Sequence, residues 1–242
     1  TRLVILLERF LGLITYKFIA IGNVVKNDLV RAGIAQDSKF EVIYPGLQEL
    51  DRYPKTDARV ALDLDPSKRY LVFVGRLTTI KRPDRFLDVV SEIKKRGVIL
   101  DFFIAGDGEL LDMCRKRIKQ EDLPVTILGW QSDIERVLSS ADMVVLTSDN
   151  EGTPLSLIQA GMVGIPVVAT NVGSTNEIVV DRETGLLTDL SVDQLAAAVT
   201  KLAENSDLRA QIGAAGQEYT LARYRVERLV KDHQDLYLRL IP

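Results

Sequence analysis

Short, continuous runs of apolar residues recur through the middle of this chain, and each is bounded by Gly or Asp. Because these runs do not alternate with polar residues, they predict strands that are covered on both faces. They are "YLVFVG" (70–75), "LDFFIAG" (100–106), "VTILG" (125–129), "DMVVLTS" (142–148) and "IPVVAT" (165–170). Helix-length segments lie between them, such as "RPDRFLDVVSEIKKRG" (82–97). The alternation predicts an α/β fold with a doubly wound, Rossmann-like parallel sheet.

The beginning and the end of the chain do not fit this repeat. Residues 1–44 predict helix, strand, helix and strand, followed by a stretch rich in Pro, Gly and charge that is typical of a linker. Residues 222–242 predict one amphipathic helix. We therefore expect a segment 1–44, a sheet domain 45–221, and a closing helix 222–242 that packs back on the first segment.

Composition and charge exclude several classes of function. Lys and Arg total 31 against 34 Asp and Glu, a net charge of −3, so the chain has no general footprint for nucleic acid. One cysteine and one histidine exclude an internal disulfide and zinc sites built on Cys or His clusters. The single cysteine also suits a reducing cytoplasm. The apolar stretch 3–21 carries Glu8, Arg9 and Lys17, which are too central for a membrane-spanning helix.

In such a sheet, ligands bind beyond the carboxyl ends of the strands, so the loops that follow the strands are candidates. After the strand at 70–75, Gly75 leads to Arg76 and Lys81. This cationic pair could hold a diphosphate, or it could be two solvated surface charges. Gly106, after the second strand, permits close approach of the backbone to a ligand or a tight turn. Its loop lacks the G-x-G-x-x-G spacing of a dinucleotide site.

Trp130 follows Gly129 at the end of the third strand and is the only tryptophan. Its ring could lie beside a nucleobase. It could equally be a hydrophobic staple for the helix that follows.

The segment "SDNEGTPLSLIQAG" (148–161) combines an acid, an amide-rich turn and a helix. Pro154 suits the first helical turn, and Gly152 and Thr153 leave amides free for an anion. A sugar on one side of a bound diphosphate could then reach Glu151, and a ribose on the other side could reach Gln159. A helix cap and a satisfied buried amide would explain these residues singly, but not their order.

Taken in order, these segments resemble glycosyltransferase family 4, retaining enzymes of the GT-B fold that use nucleotide-diphosphate sugars. The resemblance rests on "VIYPGL", "FVGRLTTIKRPDRFLDV", "FIAGDGEL", "LGW", "ADMVVLTSDNEGTPLSLIQAGMVGIPVVATNVGSTNEIV", "DRETGLL" and "RYRVERLVKDHQDLY". It covers nearly the whole chain. Segment 1–44 is then expected to be the end of an acceptor-binding N-terminal domain. Segment 45–221 is expected to be the nucleotide-sugar-binding domain.

The resemblance also implies roles for individual residues. Arg76 and Lys81 match the basic pair on the donor diphosphate, and Glu151 matches the first acid of the E-x7-E motif, which holds hydroxyls of the donor sugar. These three are the expected catalytic residues. The expected substrate-binding residues are Gly75, Arg76, Lys81, Gly106, Gly129, Trp130, Glu151, Gly152, Thr153, Pro154, Leu155 and Gln159.

Gln159 departs from the family pattern, because that position usually carries the second glutamate, which binds the ribose hydroxyls. Glutamine can still accept one hydrogen bond. A neutral bond contributes roughly 0.5–1.5 kcal/mol, whereas a charged one contributes roughly 1.5–3 kcal/mol. We therefore expect weakened donor binding rather than none.

The resemblance implies the donor half of a retaining enzyme of polysaccharide biosynthesis. It would transfer a hexosyl group from an NDP-sugar, with UDP as the expected nucleotide, to a saccharide or lipid-linked acceptor, without a metal or other cofactor. The expected location is the cytoplasm, with peripheral membrane association only through the N-terminal domain. Two alternatives stay open: a nucleotide-sugar-binding module without turnover, and a GT-B-fold enzyme such as a sugar-nucleotide epimerase or a phosphorylase, the latter needing a lysine-linked cofactor.

Overall fold

The computed structural model describes residues 2–241, without the side chain of Arg2. Thr1 and Pro242, the outer ends of two predicted segments, lie outside the described residues. The chain divides into two compact units, Thr1–Glu49 with Ala222–Pro242, and Leu50–Leu221. The first unit thus runs five residues beyond the boundary at 44 that the sequence predicts.

The elements alternate along the chain, with two short 3-10 helices at Asp37–Lys39 and Thr79–Lys81. In chain order they are α1 (Arg2–Ile14), β1 (Phe18–Ala20), α2 (Asn23–Arg31), β2 (Phe40–Val42), α3 (Lys55–Ala61), β3 (Tyr70–Val74), α4 (Pro83–Lys95), β4 (Asp101–Ala105), α5 (Leu111–Gln120), β5 (Val125–Gly129), α6 (Ile134–Ser140), β6 (Met143–Leu146), α7 (Leu155–Met162), β7 (Val167–Thr170), α8 (Thr175–Ile178), β8 (Leu186–Thr188), α9 (Val192–Glu204), α10 (Ser206–Tyr224) and α11 (Val226–Leu240).

In the first unit, β1 and β2 form a two-stranded parallel sheet. Helix α11 contacts the residues that follow β2: the Arg228 guanidinium donates to the carbonyls of Tyr44 and Pro45, each at 2.7 Å. Farther along α11, Arg239 donates to the Glu41 carboxylate at 2.7 Å. The closing helix therefore belongs to the same compact unit as the start of the chain.

The second unit is built on a six-stranded, all-parallel sheet in the order β5-β4-β3-β6-β7-β8. The prediction of a doubly wound α/β fold is confirmed, and all five predicted strands are present. The sixth strand, β8, was not predicted from the sequence, because its three residues "LLT" are too short to give a periodic signal.

The chain reverses direction across the sheet between β3 and β6. From β3 it proceeds outward through β4 to β5, and it then returns to β6 beside β3 and proceeds outward on the other side through β7 to β8. A parallel sheet has its ligand crevice where the strand order reverses, outside the carboxyl ends of the strands. The loops after β3 and β6 are therefore the first place to look for a site.

Alternating side chains of β3 cover opposite faces of the sheet. Leu71 and Phe73 belong to a core shared with α4, α5 and α9, in which the Phe86 ring packs 5.6 Å from that of Phe73. On the other face, the Tyr70 ring lies beneath the Arg59 guanidinium of α3, 5.2 Å from the ring centroid. This two-sided burial explains why the strand segments are continuously apolar. No helix within residues 2–241 has both the length and the apolar character needed to cross a bilayer.

Candidate functional site

The loops that follow β3 and β6 are joined directly by hydrogen bonds. The Asp149 N–H donates to the Ile80 carbonyl at 2.9 Å. The Thr147 hydroxyl lies 3.1 Å from the Lys81 carbonyl and 3.0 Å from that of Arg82, and Thr147 is fully buried. The residues on either side of Lys81 are thus fixed to the loop that leads to Glu151.

Lys81 and Glu151, two of the expected catalytic residues, form an ion pair at this junction. The Lys81 Nζ atom lies 2.6 Å from Glu151 Oε1, with side-chain exposures of 21% and 6%. The Ser148 hydroxyl, which is fully buried, donates to the same oxygen at 2.5 Å. An ammonium has three N–H donors, so Lys81 can keep its bond to Glu151 and still donate to a second anion.

The loop after β7 fixes Glu151 from its other side. The Ser174 N–H donates to the Glu151 carbonyl at 3.0 Å. Gly173 has φ 52°, and a Cβ at this position would lie 1.9 Å from the Glu151 carbonyl oxygen. Only glycine fits such a close backbone approach. Three neighbouring strands therefore contribute loops to the surroundings of one carboxylate.

A cavity of about 200 Å³ lies at the carboxyl ends of β3, β4 and β5, and it is lined by four of the predicted residues: Gly75, Arg76, Gly106 and Trp130. Arg76 is exposed, and its guanidinium makes no hydrogen bond or ion pair with any residue from 2 to 241. Gly106 donates to the carbonyl of Gly129 at 2.7 Å, and a Cβ on it would lie 1.9 Å from the Gly75 carbonyl.

Trp130 is 73% exposed. A hydrophobic staple would be covered by the helix that it fixes, so this exposure argues against the staple. Gln131, the next residue, lines the same cavity and donates to the Leu128 carbonyl at 2.8 Å.

At the predicted anion turn, Pro154 lies one residue before the first turn of α7 rather than within it. Pro154 precedes α7 as its N-cap residue, and Leu155, the first helical residue, is 47% exposed. Among the described residues, none accepts a hydrogen bond from the N–H groups of Gly152, Thr153 or Leu155. The buried Thr153 hydroxyl also has no hydrogen-bond partner in the described chain. These donors at the start of a helix suit an anion.

Gln159 lies in the second turn of α7 and is partly buried. Its backbone carbonyl accepts from the Val163 N–H at 3.3 Å. Among residues 2–241, its side chain forms no hydrogen bond with another predicted site residue. The structure therefore pairs Lys81 with Glu151 and places Arg76, Gly75, Gly106 and Trp130 around one cavity, whereas no hydrogen bond among the described residues links the Gln159 side chain to either group.

Sequence reasoning missed a charged network beside Lys81. Arg82 donates to Asp84 at 2.8–3.0 Å and to both carboxylate oxygens of Asp149 at 3.1 Å. Arg85, whose side chain is 7% exposed, donates to Asp149 at 2.7 Å and to the Thr147 carbonyl at 2.6 Å. The available signal was the order of charges in "KRPDR" and "SDNE", but their pairing depends on the fold.

This network shifts the pKa values of its members. Hydrogen bonds to Asp84 and then Asp149 raise the pKa of Arg82 above its usual value, although burial opposes them. Burial raises the pKa of Asp149, but hydrogen bonds from Arg85 and Arg82 outweigh it and hold that pKa below its usual value. The pKa of Asp84 is also below its usual value, because burial raises it but the hydrogen bond from Arg82 and the charge of Arg82 lower it by more. The carboxylates are therefore held in their charged forms.

The described residues contain no group of three or more His, Cys, Asp or Glu side chains that could hold a metal ion. Lys81 and Arg76 are two cationic side chains in the loop that follows β3.

Comparison with known proteins gives a consistent result. The family described as "Glycosyl transferases group 1" matches residues 54–219. The chain is 26% identical over 247 residues to the UDP-Gal:alpha-D-GlcNAc-diphosphoundecaprenol alpha-1,3-galactosyltransferase of Escherichia coli, covering 97% of this chain and 63% of that protein. It is 34% identical over 169 residues to a D-inositol 3-phosphate glycosyltransferase of Mycobacterium sp. (strain KMS), covering 66% of this chain and 38% of that protein. The chain therefore spans less than two thirds of either relative.

Solved structures share the fold. The crystal structure of Anabaena HepE in complex with UDP matches with a TM-score of 0.83 and 21% identity, over 93% of this chain and 63% of that one. The C-terminal domain of a glycosyl transferase group 1 family protein (LpcC) from Francisella tularensis matches with a TM-score of 0.67 and 23% identity, over 75% of this chain and all of that one. The six-stranded unit therefore has the Rossmann-like fold of C-terminal GT-B domains.

Proposed function

Because this chain belongs to the glycosyl transferases group 1 family, we propose that it binds a nucleotide-diphosphate sugar in the crevice at the carboxyl ends of β3 and β6. In this proposal the unit 50–221 is the donor-binding half of a retaining hexosyltransferase. Residues 1–49 with 222–242 are then the end of the acceptor-binding domain. The acceptor is a saccharide or a lipid-linked saccharide, as the name of the E. coli relative indicates for that enzyme.

The observation that carries the proposal is the contact between Lys81 and Glu151 at the point where the strand order reverses. A diphosphate beside an unpaired carboxylate would be repelled. Lys81 removes this repulsion, because it can bond to Glu151 and to a phosphate oxygen at once. Glu151 then faces the sugar as a hydrogen-bond acceptor, already oriented by Ser148.

Arg76 supplies the second charge for the diphosphate. Its guanidinium is exposed and makes no bond that a ligand would have to break. As the bond from sugar to phosphate breaks, negative charge grows on the leaving diphosphate, and Arg76, Lys81 and the amides before α7 stabilise it. Because these side chains and amides stabilise the charge on the leaving diphosphate, the proposed reaction needs no divalent metal. The acceptor oxygen bonds to the anomeric carbon from the face that the diphosphate leaves, which gives retention, and the leaving phosphate accepts the proton of the acceptor hydroxyl.

The nucleobase is assigned to the cavity lined by Trp130 and Gly106. An exposed indole can stack on any base, so the choice of UDP rests on the relatives. The E. coli relative is named for a UDP-sugar, and HepE was crystallised with UDP.

A second candidate function is nucleotide-sugar binding without turnover. It is favoured by Gln159, a neutral side chain at the position where the resemblance expects an acid. Formation of any glycosylated product from a UDP-sugar by the complete protein would exclude it.

The site is tested with Arg76→Ala and a matched control, Arg115→Ala. Arg115 is on α5, is 62% exposed and pairs loosely with Asp112 at 3.4 Å. Arg76→Ala should weaken UDP binding about tenfold, the loss of one charge-assisted bond, whereas Arg115→Ala should leave it unchanged. Both variants should keep the parent's thermal midpoint. Equal UDP affinity in Arg76→Ala and the parent would reject the diphosphate assignment.

A further inference from the structure

Arg82, the residue directly after Lys81, has a left-handed backbone with φ 53° and ψ 54°. This conformation costs free energy for any residue with a Cβ, and it persists only where the surroundings impose it. Within residues 2–241, three other non-glycine residues have a positive φ: Asp63, Asp122 and Arg182. Aspartate tolerates this conformation better than arginine. Two arginines are therefore unusual, and one of them adjoins the site.

All three guanidinium nitrogens of Arg82 also donate hydrogen bonds. Its guanidinium bonds to Asp84 and to both carboxylate oxygens of Asp149. Arg85 donates to the same Asp149 carboxylate. By contrast, the side chain of Arg182 is 83% exposed and makes one loose pair with Asp181 at 3.5 Å. We call Arg82, Arg85 and Asp149 the clasp.

The clasp spans the two loops that carry Lys81 and Glu151. Arg82 adjoins Lys81 in sequence, and Asp149 stands two residues before Glu151. The backbones are joined at the same place, since Asp149 N–H donates to Ile80. Loss of the clasp would leave the turn that ends at Lys81 with fewer bonds to the second loop.

From this geometry we propose that the clasp is a positioning device, which holds the Lys81 ammonium against Glu151 and in place for the diphosphate. Its members are positioning residues, since they act through Lys81. The inference rests on the proposed function for the diphosphate, whereas the placement of Lys81 can be measured without any ligand.

Arg82→Gly separates the two contributions of Arg82, because glycine accepts the left-handed backbone while removing the guanidinium. A residue that only completes a turn would tolerate this change. The matched control is Arg182→Gly, which makes the same replacement at φ 64° away from the clasp. Asp149→Asn is the second variant, because it keeps the backbone N–H that bonds to Ile80 and removes the charge. Circular dichroism verifies folding of each variant.

The first measurement is the rate at which limiting acetic anhydride modifies Lys81, quantified by peptide mass spectrometry relative to exposed Lys201 of α9. We expect Lys81 to react severalfold faster in Arg82→Gly and Asp149→Asn than in the parent, and at the parent's rate in Arg182→Gly. A purely structural role would not single out this lysine. The parent's rate in both clasp variants would overturn the inference, whether or not the chain binds UDP.

The second measurement compares UDP with uridine by calorimetry. Arg82→Gly should bind UDP about tenfold more weakly, the loss of one charge-assisted hydrogen bond, and should bind uridine as the parent does, since uridine has no phosphate. Equal weakening for both ligands, or for neither, would contradict positioning through Lys81. If the parent itself fails to bind UDP, the proposed function fails, and the acetylation rates still decide whether the clasp holds Lys81.

Discussion

Gln159→Glu should tighten UDP binding, because it restores a carboxylate at the proposed ribose position. The structure shows no side-chain partner for Gln159 among the described residues, so the change breaks no recorded bond. A neutral acceptor contributes roughly 0.5–1.5 kcal/mol and a charged one roughly 1.5–3 kcal/mol. The expected gain is therefore about 1 kcal/mol, or about fivefold in the dissociation constant.

The assay is calorimetric titration of the parent and Gln159→Glu with UDP and with 2′,3′-dideoxy-UDP, which lacks the hydroxyls that a carboxylate would bind. The fivefold gain should appear with UDP and vanish with the dideoxy ligand. Gln211→Glu, an exposed position on α10, gives the same change of net charge elsewhere and should have no effect. Equal gains with both ligands would indicate long-range electrostatics, and unchanged UDP affinity would place residue 159 outside the pocket. Either result refutes the ribose assignment.

Three further predictions follow from the geometry. Trp130→Ala should weaken UDP binding by about 1–3 kcal/mol, because stacking on the base is lost. The thermal midpoint should change little, since the indole is 73% exposed. An unchanged UDP affinity would show that the base does not bind beside Trp130. Gly173→Ala should lower the free energy of unfolding, measured in urea, by more than Gly97→Ala does. Both glycines have a positive φ, but only a Cβ at position 173 would lie against the Glu151 carbonyl. Similar losses of unfolding free energy in the two variants would contradict this close approach. The depressed pKa values of Asp84 and Asp149 give stability that is present above the unfolded pKa of about 3.9 and is lost as pH falls through the folded values. Asp149→Asn should therefore flatten the fall of the unfolding free energy in acid. An unchanged fall in urea unfolding from about pH 7 to about pH 2 would exclude a contribution from Asp149.

The fold was largely predictable because its strands are buried on both faces and therefore appear as continuous apolar runs. Strand β8 escaped prediction, since three residues at the edge of the sheet carry too little pattern. The rule that ligands bind at the carboxyl ends of strands placed Lys81 and Glu151 in two of the candidate loops. Their ion pair could not be predicted, because it depends on β6 returning to lie beside β3.

The clasp could not be predicted from the sequence either, for a related reason. Arg82 and Asp149 are 67 residues apart in sequence, and nothing local marks them as partners. The left-handed backbone of Arg82 gave no signal either, since glycine is the residue that sequence patterns associate with that conformation. Side-chain pairing across the crevice follows from the order of strands, which a linear pattern does not contain.

The central claim is that this chain holds a nucleoside diphosphate through protein cations. It is tested most directly by calorimetric titration of the purified chain with UDP, GDP, ADP and NAD, each with and without EDTA. We predict saturable binding of UDP in preference to the other three, with an affinity that EDTA does not change. Preference for NAD, loss of UDP binding in EDTA, or no binding of any nucleotide would contradict the account.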